Sequence, residues 1–332
     1  MQQESNSPTL SIITPVFNLY EASRQYLIEK NIKSVAEQVD ANIEHIVMDG
    51  GSTDGTLELL RKLQKKYCFT IYSEPDRSLF DGMNKGIKKA NGTFVLFLNS
   101  DDNFHSRTGI KDALNCIIKS GSDFLYSDVR NINSRGEYID LWKADPQNRY
   151  FGAFCCHQGM IVKKSVLEEI GCFDLDFGIA ADVNFMQQLF KRGKKGVKFP
   201  EVFASYMVGG ASQTDTELTR KESAKVIYAN YGRDNSLDLF DCYFLWGMRF
   251  TSELPMEAMI NIGVKIKDEK FRESYFNHVK FNISARLGIR GRKSKRVLSI
   301  FKKWPLISKE VDGGKVKYKI FDKFPIFRVE SY

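Results

Sequence analysis

The chain has 332 residues, 42% hydrophobic and 27% charged, with a net charge of +8, a composition ordinary for a soluble globular protein with room for one large domain and an extension, or two domains. No apolar run approaches the roughly 20 residues of a membrane-spanning helix, and Met1–Ser5 has neither the basic nor the apolar segment of a secretory leader. The six cysteines show no paired C-x-x-C spacing, so reduced thiols in a cytoplasmic chain are expected, not a disulfide framework.

In chain order, Ser11–Val16 reads as a short apolar strand ending in a turn at Phe17-Asn18. Ile28, Ile32, Val35 and Val39 follow at helical spacing. A second strand, Ile43–Met48, ends at Asp49-Gly50-Gly51-Ser52-Thr53-Asp54-Gly55-Thr56, and Leu57, Leu60 and Leu63 mark the next helix. Phe69–Tyr72 is a third strand, followed by the polar loop Ser73–Ser78 and a helix through Met83, Ile87 and Ala90. Thr93–Leu98 lacks polar alternation and reads as a strand buried on both faces, ending abruptly at Asn99-Ser100-Asp101-Asp102. This β-α-β-α alternation predicts an α/β fold with a mainly parallel sheet and right-handed crossovers.

Further on, Ile110, Leu114 and Ile117 predict a helix. Phe124–Val129 and Tyr138–Trp142 predict strands around a turn at Asn133–Gly136. Gly159–Val162 and Val202–Val208 read as strands, with a helix through Phe185, Leu189 and Phe190 between them, ended by Gly193. A domain boundary is placed near Thr214, separating residues 1–214 from a basic extension, 215–332. The extension carries helices at Thr216–Tyr231, Leu237–Phe250 and Met256–Lys267, and its end, Lys315–Val329, alternates as a small hairpin around Asp322–Pro325.

Thr14-Pro15, Asp49, Asp76 and Asp101-Asp102 all fall at strand ends, on one edge of a parallel sheet. Two adjacent carboxylates repel unless a cation or solvent relieves them. Such a crevice suits a hard divalent metal holding a diphosphate, together with hydrogen bonding to a base. Asp49 sits at the strand end itself, whereas Thr53 and Asp54 are read as helix caps. A G-x-G-x-x-G after the first strand and a G-x-x-x-x-G-K-[ST] loop are both missing, which counts against dinucleotide and mononucleotide-triphosphate folds.

Ser11-Ile12-Ile13-Thr14-Pro15-Val16-Phe17-Asn18, Val47–Thr56, Glu74–Gly86 and Phe97–Asp102, in that order, resemble family 2 glycosyltransferases with the GT-A nucleotide-diphospho-sugar transferase fold, of the bacterial surface-polysaccharide type. The resemblance covers residues 9–212. It implies that Thr14, Pro15 and Phe17 line a nucleoside pocket, that Asp49 accepts a hydrogen bond from the base, typically uracil, and that Asp76 lies near the ribose or base. Ser100 and Asp101 would face the donor, with Asp101 and Asp102 as ligands of Mn²⁺ or Mg²⁺. The family's first Asp is here Asn99. Lys85 would supply the charge that Met83 does not. The family's Glu-Asp pair is Ala181-Asp182, which leaves Asp182 as the base of an inverting displacement, against a bland reading as a helix cap. His157 and Gln158 fall where relatives approach the acceptor or donor sugar, and Gly209–Ser212 resembles a segment that orders over the nucleotide, with a domain-end linker as its alternative. Cys155-Cys156 is read as buried packing.

The function implied is transfer of a sugar from a nucleotide-sugar, typically UDP-linked, to a glycan or polyprenyl-diphosphate-linked acceptor. The alternatives are a sugar-phosphate nucleotidyltransferase and an inactive nucleotide-sugar-binding partner. Residues 261–332 hold 19 Lys/Arg against 7 Asp/Glu, while the rest of the chain has 30 against 34. Within that tail, residues 286–304 interleave basic and apolar side chains as an anionic membrane surface requires, which places the protein peripherally at the inner face of the cytoplasmic membrane. No nucleic-acid recognition motif is present.

Overall fold

The structure, a computed structural model, describes residues 8–210, 214–247, 256–286, 308–312 and 315–319. Its first half is the alternation the sequence predicts: β1 (Leu10–Val16), α1 (Ile28–Ala36), β2 (Ile43–Asp49), α2 (Thr56–Gln64), β3 (Thr70–Ser73), α3 (Leu79–Lys89) and β4 (Phe94–Phe97). Every residue of β1 and β4 is buried. The reason is topological: β1 is hydrogen-bonded in parallel to β2 on one side and β4 on the other, and helices cover both faces. Successive strand residues point to opposite faces, so Ile13, Val95 and Phe97 enter one core cluster while Ile12, Leu96 and Leu98 enter another.

After β5 (Asn103–Phe104) and α4 (Gly109–Ser120), the chain builds β6 (Phe124–Tyr126), β7 (Val129–Ile132), β8 (Tyr138–Trp142) and β9 (Met160–Lys163). Then come α5 (Lys164–Ile170), α6 (Ala181–Lys191), β10 (Gly196–Lys198) and β11 (Ala204–Met207). The main sheet has seven strands in the order β10-β6-β9-β4-β1-β2-β3. It is parallel except at β9, which runs antiparallel to both β4 and β6. A second sheet, β5-β11-β7-β8, stands beside it.

The single strand expected at Phe124–Val129 is therefore two strands in different sheets. Ser127 and Asp128 divide it, Ser127 N donating to the Gly159 carbonyl at 2.9 Å and Asp128 accepting from Ala144 N at 2.9 Å and pairing with Lys198 at 3.0 Å. Val39 lies beyond the end of α1. β5, α5 and β10 are too short to carry a period and were not anticipated.

The extension is helical: α7 (Thr216–Ile227), running into a π-turn at Tyr228–Gly232, then α8 (Leu239–Gly247), α9 (Met256–Lys265) and α10 (Glu269–Arg286). Its core joins Ile227, Leu245, Ile262, Phe271 and Tyr275 to Tyr150 and Phe151 of the first part of the chain, Tyr150 stacking on Phe271 at 4.6 Å. α10 was missed, although Asp268 caps it through Phe271 N at 2.6 Å and Phe271, Tyr275 and Val279 recur every four residues. A hairpin pairs β12 (Ser308–Asp312) with β13 (Lys315–Lys319), and the turn expected at Asp322–Pro325 lies outside the described residues. Residues 287–304 and Ser212, both assigned roles from sequence, lie outside the described residues. Among the described residues, no helix is long and apolar enough to cross a membrane.

Candidate active site

The parallel register sets Val16 beside Asp49 and Asp49 beside Ser73, so the carboxyl ends of β1, β2 and β3 form one edge, with β4 adjoining. Asp49 is buried there, accepting from the Ser73 hydroxyl at 2.6 Å and from Ser52 N at 3.3 Å. Phe17, just past β1, leaves its ring 58% exposed beside this edge. Thr14 and Pro15 are buried in β1 itself, the Thr14 hydroxyl lying 3.0 Å from Nε2 of the buried His45.

Asp76 is seated against glycine. A Cβ on Gly50 would come within 2.5 Å of its Oδ2, and one on Gly82 within 2.9 Å. These two glycines, which make room for the Asp76 carboxylate, were passed over in the sequence reading, although Gly50 stood in a motif named there. Burial raises the Asp76 pKa, opposed by Lys85 and assisted by Asp81 and Asp49. Lys85 reaches the Pro75 carbonyl and pairs with Asp81 at 3.7 Å. The cap position of α2 is Gly55, with no side-chain cap hydrogen bond, so neither Thr53 nor Asp54 is its cap; Asp54 accepts from Thr56 N at 3.0 Å and from Tyr20 N at 2.7 Å. Burial works to raise its pKa, but these hydrogen bonds hold it below its ordinary value.

The turn after β4 is a hub. Asn31, buried on the apolar stripe of α1, donates its amide to the carbonyls of Asn99 at 2.8 Å and Asp102 at 2.9 Å. Asp101 pairs with Arg24 at 2.6 Å, and the same guanidinium donates to the Gly209 carbonyl at 3.1 Å. Burial raises the Asp101 pKa, while Arg24 and His157 pull it down. Asp102 is 1% exposed, and both its oxygens are engaged, one by Gln158 Nε2 at 2.5 Å and one by Met207 N at 2.8 Å. Burial, with the charge of Asp101, pushes its pKa well up. Gln158 is itself buried, its carbonyl oxygen accepting from the Cys156 thiol at 2.7 Å, and Cys155 and Cys156 are packed in the cores. Ser100 is half-buried in the same turn. Arg24 and Asn31 were not anticipated. The one signal for Asn31 is a polar residue inside an apolar stripe.

At the other side of the hub, His157 Nδ1 donates to Asp182 Oδ2 at 3.2 Å, and His157 Nε2 is buried without a partner. Asp182 sits in the first turn of α6, not at its cap position, which is Ala180. It also lines a cavity of about 620 Å³.

A family model described as Glycosyl transferase family 2 matches residues 11–171. An uncharacterised glycosyltransferase of Mycobacterium tuberculosis is 31% identical over 201 residues, 55% of this chain and 69% of that one. The chain belongs to glycosyltransferase family 2.

A PGL/p-HBAD biosynthesis glycosyltransferase of Mycobacterium bovis is also similar to this transferase, at 29% identity over 65% of this chain and 84% of its own. Among solved structures, Staphylococcus aureus TarS 1–349 in complex with UDP superposes with a TM-score of 0.53 at 18% identity, covering 96% of this chain and 98% of that one. The mannosyltransferase PcManGT of Pyrobaculum calidifontis, in complex with GDP-Man and Mn²⁺, gives 0.51 at 16% identity, covering 90% and 80%. These likenesses concern the fold. The glycosyltransferase has the GT-A fold, with its mostly parallel sheet and helical C-terminal region.

Proposed function

We propose that this glycosyltransferase moves a sugar from a nucleotide-sugar, UDP-linked by preference, to an acceptor hydroxyl with inversion at the anomeric carbon, in bacterial polysaccharide or glycolipid assembly. The observation that carries the reading is the position of Asp182. It is hydrogen-bonded to His157, which lies within electrostatic reach of Asp101, and it opens onto a cavity on its other side.

In this reading the nucleoside lies along the strand edge, with Phe17 against the base and Asp49 and Asp76 as hydrogen-bond acceptors for base and ribose. Thr14 and Pro15 shape the floor from within β1, and Lys85 contributes positive charge. The acceptor oxygen bonds to the anomeric carbon as the bond from that carbon to the diphosphate oxygen breaks. The hydroxyl proton passes to Asp182, and the electron pair of the broken bond leaves on the nucleoside diphosphate. His157 holds the Asp182 carboxylate in line. That a relative is named for PGL/p-HBAD biosynthesis and two solved structures are in complex with UDP or GDP-Man supports the substrate class.

A divalent cation fits the residues present. The partnerless Nε2 of His157 and the nearly buried carboxylate of Asp101, paired with Arg24, are donors of the right chemistry, and Asn99 Oδ1 is also buried without a partner. Among the described residues, no three His, Cys, Asp or Glu side chains converge as a metal site, so oxygens of the donor would complete the shell. Asp102, with both oxygens engaged, would fix the turn behind Asp101 rather than bind the ion. When bound, the cation supplies Lewis-acid stabilisation of the leaving diphosphate.

The test is calorimetric titration of UDP and GDP with and without Mn²⁺, followed by assay of nucleoside diphosphate release from a panel of nucleotide-sugars. Binding with slow donor hydrolysis is expected. Binding with no turnover on any donor and any acceptor would favour the inactive-partner reading, which Asn99 and Ala181 keep in view.

A further inference from the structure

Asp182 stands in the first turn of α6, and that helix does not cap its own start. Ala180 holds the cap position with no side-chain hydrogen bond. The 3₁₀ turn that leads into it, Leu175–Ala180, is broken at Gly178, whose φ of 49° and ψ of −121° suit glycine alone. Amides at a helix start have no partner within the helix, so the direction of this segment has to be set from outside.

Glu222 sets it. The side chain comes from α7 of the extension, and its carboxylate accepts from Ile179 N at 2.6 Å. It fits because residue 178 has no side chain: a Cβ there would lie 2.4 Å from one carboxylate oxygen and 2.6 Å from the other. A hydrogen bond from an amide to a carboxylate is charge-assisted and stronger than a neutral one. Just beyond, Asp182 has one oxygen on Val183 N at 2.7 Å and the other 3.2 Å from His157 Nδ1. Its orientation therefore follows the backbone that Glu222 holds.

A second contact from the extension sets the axis of the helix. The π-turn Tyr228–Gly232 carries Asn230 inward, 3% exposed. The Asn230 amide donates to Asn184 Oδ1 at 2.9 Å, its side-chain oxygen accepts from Gln188 at 2.6 Å, and its carbonyl accepts from Lys191 at 2.7 Å. Those partners recur at i, i+4 and i+7, along one face of α6. π-turns are rare and recur at functional sites. Val226 and Ile227 already attach α7 by apolar packing, and the hydrogen bonds, being directional, add orientation to that attachment.

We propose that Glu222 is a positioning residue for Asp182, acting through the Gly178-Ile179 peptide, while Asn230 holds the axis of α6. This role of Glu222 rests on the reading of Asp182 as the base. It goes beyond that reading in making the extension part of what aims the base.

The experiment uses the full chain. It follows nucleoside diphosphate release from the preferred nucleotide-sugar and the ring signals of ¹⁵N-labelled histidine, those of His157 being identified by His157→Gln. Glu222→Ala should lower kcat about tenfold, with donor KM and UDP affinity within about twofold of wild type, because it misaims the base without touching the nucleotide. It should also shift the His157 ring signals. Glu222→Gln keeps an acceptor of the same reach and should restore both kcat, to within about threefold, and the signals. Glu222→Asp is one methylene shorter and should behave as Glu222→Ala, and it serves in place of the alanine variant if that one does not fold. In an Asp182→Asn background, Glu222→Ala should slow release by less than about twofold more, because the two residues act as one unit. An equal loss of kcat in both backgrounds overturns the proposal, as does a Glu222→Ala variant with unchanged kcat and unchanged His157 signals. Release unaffected by Asp182→Asn, with His157 signals that still move in Glu222→Ala, would instead overturn the base reading and leave the positioning of Asp182 standing.

Discussion

At the scale of single residues, His45 separates stability from catalysis. It is buried in β2 against Thr14 and Phe69, and burial lowers its pKa from 6.5 to about 3. Between those values the unfolded chain holds a proton that the folded chain refuses, so stability rises with pH across the window and is lost as pH falls. Each unit below 6.5 should cost about 1 kcal/mol, measurable as a falling Tm between pH 6.5 and 4.5. His45→Phe should flatten that slope, and an unchanged slope would remove His45 as its source. Gly50→Ala makes the complementary prediction for the site. Its methyl would displace the Asp76 carboxylate, so UDP affinity should fall at least tenfold with little change in Tm, and unaltered titration would show that Asp76 does not touch the nucleoside. The placing of Asp49, Asp76 and Asp101 along one sheet edge was legible in the sequence because strand ends and motifs marked them. The partners of Asp101 and Asp102 were not, since Arg24, Gln158 and Met207 lie 56 to 105 residues away in sequence. Only folding brings them together.

Elements explain how the turn after β4 keeps its shape. α1 approaches it with Asn31, whose one amide group satisfies two carbonyls of the turn. Asn31→Leu keeps the apolar stripe but takes the side-chain donor from both carbonyls, leaving Asn99's with Asp102 N at 3.0 Å, at a cost of about 1–3 kcal/mol. The expected result is a clear drop in Tm together with weaker metal-dependent UDP binding. A loss of Tm alone would mean that the turn serves only the fold. The strands and helices of the first hundred residues were readable because each is long enough to show its period and is bounded by Gly, Pro or Asp. Past residue 120 the strands shorten to three to five residues, and the division at Ser127-Asp128 depends on hydrogen bonds to Gly159 and Ala144, which no local pattern contains. The antiparallel turn of β9 is hidden for the same reason.

For the whole molecule, the expected boundary near Thr214 runs through shared packing. Tyr150 and Phe151 lie in one cluster with residues of α7, α8, α9 and α10, and Val226 belongs to the main core. We propose that residues 1–214 do not fold stably alone. A fragment ending at Thr214 should aggregate or bind hydrophobic dyes, while the full chain unfolds in one transition. A monomeric fragment with native-like UDP binding would establish two independent domains. The extension was legible as helical and basic, but its hydrogen bonds to α6 and the segment before it were not, because periodicity shows that a helix is amphipathic without showing what it packs on.

Asp182 is proposed as the base between the strand-edge nucleotide site and the cavity it lines. The most direct measurement compares wild type and Asp182→Asn for UDP affinity by calorimetry and for nucleoside diphosphate release from the preferred nucleotide-sugar. Affinity within twofold and release slowed at least a hundredfold are expected. Equal release by both proteins would contradict the assignment.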